Sequence, residues 1–185
     1  MAVPAPELHA PKLEPSYRLV TQLALRFGGS VGLVFAVWIV ILQLTGSNGF
    51  GPKQILAQLL VPLAAVASEW FLRRKLAPEK PGLRRSLAVG TLTVLIAAVI
   101  SAGSVLGLAY GAGEPALARN RAEVEEIVRA QQRENPKVQR SEQEKQQQMN
   151  NVATLTVRGL VASNFTLVLL LGMVLGLPGG IFFRE

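Results

Sequence analysis

With half of its 185 residues hydrophobic, 17% charged and a mean hydropathy of +0.34, the chain is too apolar for an ordinary water-soluble domain, where about a quarter of residues carry charge. Its net charge of +7 sits on Lys and Arg residues that crowd the borders of apolar blocks, so the charge marks contact with membrane lipid head groups and nucleic acid is excluded as a partner. Cysteine is absent and the single histidine, His9, lies among prolines, which leaves no disulfide, thiolate site or histidine cluster, and neither metal nor cofactor is expected.

Residues 1–15 hold Pro4, Pro6, Pro11 and Pro15. They lack the charged start and apolar run of a cleavable signal, and so many prolines predict an extended, flexible tail before a single membrane domain over 16–185. Four apolar blocks follow, at about 27–44, 54–72, 87–110 and 159–183. Each is long enough to cross ~30 Å of hydrocarbon at about 1.5 Å per residue. None alternates with a period of two, so the fold class is all-α, a bundle of four transmembrane helices.

Tyr17, Arg18 and Arg26 precede the first span as interfacial anchors, and Gly46, Ser47, Asn48 and Gly49 end it. Pro52 opens the second, which carries Gln58, Pro62 and Glu69 and ends in Trp70 and Phe71 beside Arg73, Arg74 and Lys75. That arrangement is an aromatic belt next to a basic cluster. With Lys80, Arg84 and Arg85, the second loop has six basic residues against Lys53 alone in the first. The bias predicts that both termini and the second loop face the cytoplasm. The third loop, about 111–156, is polar. Pro115 can start a helix that Pro136 ends, and a second polar helix follows around 138–151, giving a solvated helical hairpin or a docking surface for a partner.

Glycines four apart recur: Gly28 and Gly32 in the first span, Gly103, Gly107 and Gly111 in the third, Gly172, Gly176 and Gly180 in the fourth. Residues at that spacing share one helix face and let backbones approach closely. The strips read either as third-on-fourth packing within one chain or as an interface with another membrane protein or a second copy. Glu69 is the acidic residue of the spans. An intramembrane carboxylate can be a proton or cation site, but Arg73, four residues on, favours an interfacial ion pair. Gln58 and Asn164 are the remaining candidate polar residues, and Pro62 and Pro178 are expected to kink their helices. Arg73, Arg74, Lys75, Arg84 and Arg85 are assigned to lipid head groups.

The basic turn from Arg73 to Arg85 leads into a Gly/Ala-rich helix ending at Tyr110. Glu114-Pro115 follows, then the Glu/Arg/Gln-rich stretch from Ala118 to Asn135 with Pro136, a second polar helix, and an apolar helix tipped by Arg184-Glu185. This layout resembles an uncharacterised bacterial family of small four-helix membrane proteins, known as a domain of unknown function. The resemblance implies four spans in a bacterial inner membrane and no reaction. No Ser/His/Asp set, phosphate loop or convergent carboxylate pair is legible either, so a non-enzymatic role is expected. It would be an accessory, scaffolding or assembly component, the alternative being a small transporter or channel subunit with Gln58, Glu69 and Asn164 lining one path.

Overall fold

A computed structural model describes residues 15–134 and 141–182. The residues before Pro15, those around Pro136 and the tip Arg184-Glu185 lie outside the described residues, as do the expectations placed on them. The described residues are helical and contain no strand. Four helical stretches are long and apolar enough to span a membrane.

Helix α1 (Pro15–Leu44) begins a dozen residues before the predicted span, so the stretch with Tyr17, Arg18 and Arg26 is helical too. The second span is broken. A 3-10 turn (Pro52–Gln54) leads into α2 (Ile55–Gln58), and α3 (Leu60–Leu76) follows after Leu59. Pro62 has no N–H to offer the Gln58 carbonyl four residues earlier, which is why the helix is interrupted there. By contrast α6 (Val157–Phe182) runs through Pro178 as one helix.

Helix α4 (Gly82–Glu134) departs most from expectation. The third span and the first polar helix were expected as separate elements. They join almost end to end, divided at Gly113, whose φ of 68° and ψ of −171° suit glycine alone. Pro115 then starts the second part, as predicted for a residue whose missing N–H is harmless at a helix start. Helix α5 (Glu142–Ala153) packs beside it. Ser141 caps α5 by accepting from the Glu144 N–H while the Glu144 side chain accepts from the Ser141 N–H.

Inside the bundle, α4 packs against α1, α3 and α6, and α3 also touches both α1 and α6. The core forms three clusters along the bundle: Val20, Leu23, Leu72 and Val89 at the end with the basic turn, Val61, Ala65, Ala97 and Val168 midway, and Phe35, Phe50, Val105 and Leu117 at the other end. Leu33, Val37, Leu63, Leu170 and Val174 point outward. Such an apolar exterior suits lipid and not water.

The polar hairpin is not wholly solvated. Ala116, Leu117 and Asn120 are buried because they dock on the first loop. The Asn48 amide donates to the Asn120 Oδ1 at 2.9 Å and to the Glu123 carboxylate. The Arg119 guanidinium donates to the carbonyls of Gly46 and Ser47. The first and third loops therefore share one end of the bundle, opposite the basic turn. At that other end Arg74 lies 5.6 Å above the Trp70 ring, and Trp70 meets Phe71 edge-on.

Candidate functional site

The polar residues of the spans form two separate groups. In the first, Gln58 of α2 donates its amide to the Asn164 Oδ1 at 2.9 Å, and the Asn164 amide donates to the Ser101 hydroxyl at 2.6 Å. Three helices are thereby pinned by side chains that satisfy one another, the usual use of amides in an apolar bundle. Gln58 and Asn164 also border an open crevice of about 400 Å³ between the first loop, α4 and α6. Ser101 is the member that sequence reasoning missed. Its only signal was a hydroxyl midway along an apolar helix.

Glu69 belongs to the second group and does not line that crevice. The expected ion pair with Arg73 is absent: Arg73 is exposed, whereas Glu69 is fully buried and neither of its oxygens has a hydrogen-bond partner. Side chains on a helix tilt toward its N-terminus, and here that direction leads into the bundle. Three glycines make the room. A Cβ on Gly90 of α4 would collide with the Glu69 Oε1, one on Gly179 of α6 would lie 2.6 Å from the Oε2, and one on Gly180 would lie 3.1 Å from the Oε1. Ser86, one turn before Gly90 on the same face of α4, is also fully buried with an unpartnered hydroxyl. Gly90, Gly179 and Ser86 were not legible as a cradle, because nothing local to their sequence names the carboxyl they surround.

The glycine strips divide as well. Gly28 and Gly32 of α1 receive α4, with the Thr93 carbonyl oxygen 2.6 Å and the Ile100 Cβ 2.8 Å from the positions their own Cβ atoms would take. Gly172 of α6 faces Val94 and Val61, Gly176 faces Ala65, and Gly180 faces Leu87 and Glu69. Those two strips pack within the chain. Gly103, Gly107 and Gly111 have nothing within 4 Å. So α4 and α6 are neighbours, as expected, but α4 does not present its glycines to α6. Ser101 points at Asn164, and Gly103, two residues on and about 200° around the helix, must point away.

Among the basic residues assigned to head groups, Arg73, Arg74, Lys75 and Arg84 are exposed and Arg85 is half-buried. They gather at the end of the bundle that holds Trp70 and Phe71. Among the described residues no group of three or more His, Cys, Asp or Glu side chains could hold a metal ion.

No curated protein and no solved structure matches the chain. A family model does match, over residues 26–185, and the chain therefore belongs to the family described as "Protein of unknown function (DUF4199)".

Proposed function

We propose that the protein is a non-catalytic component of membrane assemblies, an accessory or scaffolding subunit that takes a helix of a second membrane protein, or of another copy, against the outer face of α4. The observation that carries this reading is the open strip of Gly103, Gly107 and Gly111, with nothing within 4 Å, on a helix packed elsewhere against α1, α3 and α6. Small residues at that spacing let a further helix approach closely enough for backbone contact. A groove between α4 and α6, bordered by Leu106, Tyr110, Val161 and Phe165, lies alongside and widens the surface. On this reading the protein sits in the plasma (inner) membrane of a bacterium with both termini in the cytoplasm, an orientation supported by the excess of Lys and Arg in the basic turn.

The test uses the absence of cysteine in the chain. In native membranes, Gly107→Cys should cross-link to one defined species under mild oxidation or a short bifunctional reagent, and Gly29→Cys in α1, also open but off that face, should not. Gly107→Leu should release the same species in gentle detergent. No cross-link above that control would sink the reading.

The alternative, a small transporter or channel subunit, draws on the crevice shared by Gln58 and Asn164. Against it, the two amides are occupied with each other and Ser101, and Glu69 lies elsewhere. Solute flux in vesicles carrying the purified chain, lost in Asn164→Leu, would favour this alternative.

A further inference from the structure

The carboxyl of Glu69 has a surrounding that needs a chemical explanation. It is fully buried between α3, α4 and α6, and both oxygens lack a donor. The glycines around it offer space and no hydrogen bond. An ionised carboxylate left without donor or counter-ion in an apolar interior is among the costliest arrangements a protein can hold. Something must offset that charge.

Among the described residues no side-chain cation supplies it. On the helix that bears Glu69, Arg73, Arg74 and Lys75 are exposed. On α4, Arg84 is exposed, Arg85 is half-buried, and no charged residue follows before Glu114. On α6, Arg158 at the far end is the sole charged residue of Val157–Phe182. On α1, Arg18 and Arg26 are exposed. A metal ion needs several oxygen ligands. Glycines fill the first shell here, and among the described residues no group of three ligating side chains exists.

We propose that Glu69 is a proton-binding site inside the bundle. The proton comes from water at the end carrying the basic turn, one helical turn from Glu69 along α3. It forms an O–H bond on one carboxyl oxygen, and on release it returns to water and leaves the carboxylate. Ser86, whose buried hydroxyl is also unpartnered, lies on α4 one turn closer to that end than Gly90. The proton holds the last turns of α6 in place, because Gly179 and Gly180 rest directly on the carboxyl. When it leaves, the charge sits against a helix already short of one hydrogen bond, since Pro178 cannot donate to the Val174 carbonyl. Those turns are then the part of the bundle that gives way. The inference is independent of the accessory role, which rests on Gly103, Gly107 and Gly111, further along α4 and away from Glu69.

The test is infrared spectroscopy of the full chain in lipid vesicles across a pH series, comparing wild type with Glu69→Gln. The expected result is a carbonyl band of a protonated carboxylic acid at neutral pH, where the water-exposed glutamates are ionised. It should disappear reversibly as pH rises and be missing in Glu69→Gln. A spectrum without the band overturns the proposal, because the carboxylate then has a cation for its partner. A band that persists until the chain unfolds also overturns it, because the acid then never exchanges its proton. Should Glu69→Gln not fold, wild type alone decides. A hydrophobic carbodiimide should modify Glu69, located by peptide mass spectrometry, and more slowly as pH rises. Modification confined to other glutamates counts against a proton there.

Discussion

At Gly28 an added Cβ would lie 2.6 Å from the Thr93 carbonyl oxygen, a backbone atom that cannot swing aside, whereas Gly29 beside it has open space. Gly28→Ala should therefore force α1 off α4 and cost about 1–3 kcal/mol, the range for overpacking a filled core. Gly29→Ala should be neutral or gain a few tenths through better helix propensity. Tm measured in one detergent checks the pair, and equal values would mean α1 does not sit on α4 at this point. The spacing of Gly28 and Gly32 was legible because residues four apart must share a face. Which helix fills that face was not, since Ile96 and Ile100 look like any other apolar residues of α4. The same limit applied to Glu69. Its position near Arg73 invited an ion pair, and only the missing side chains of Gly90 and Gly179, distant in sequence, explain why it turns inward. Gln58 and Asn164 allow a cleaner test. A double-mutant cycle with leucine at each should give a coupling of about 0.6 kcal/mol, as expected for an interhelical hydrogen bond in an apolar environment. A coupling of zero would mean the amides are satisfied separately.

Between the elements, Gly113 decides how the extramembrane half of α4 meets the first loop. Its φ of 68° with ψ of −171° is a conformation that a Cβ opposes, and residues held there are strained by about 1–3 kcal/mol when they are not glycine. Gly113→Ala should redirect the second half of α4, pulling Asn120 and Glu123 away from Asn48. Hydrogen exchange would then rise at the amides of the first loop, including the Phe50 N–H that donates to the Asn48 side chain. The transmembrane part of α1 should keep its protection. Unchanged exchange at Phe50 would show that the contact survives without the glycine. Pro115 marked the start of this helix in the sequence, whereas the capping pair Ser141 and Glu144 that starts α5 went unread, the second polar helix being expected around 138–151. Docking onto the first loop was not legible, because Asn48 and Asn120 are 72 residues apart and each alone reads as an ordinary loop or surface amide.

Across the whole molecule, the contact between Asn48 and Asn120 constrains the path of the chain more than any span boundary does. It puts the first and third loops at one end, so the stretch between them must cross and return. The interrupted second span, Pro52–Leu76, accordingly crosses the bundle and is not re-entrant. What the contact leaves open is the side of the membrane, which rests on the basic turn and its six Lys and Arg residues against Lys53. A chain without cysteine lets one reporter thiol decide. Lys80→Cys lies in the basic turn and Gln131→Cys in the polar hairpin, and both positions are exposed. In spheroplasts, a maleimide that cannot cross membranes should label Gln131→Cys directly and Lys80→Cys only after permeabilisation. The reverse pattern would invert the orientation and place the proton supply for Glu69 outside the cell. Labelling of both in intact spheroplasts would mean that an even number of helices crosses between residues 80 and 131, where the four-span arrangement has one, and would overturn that arrangement.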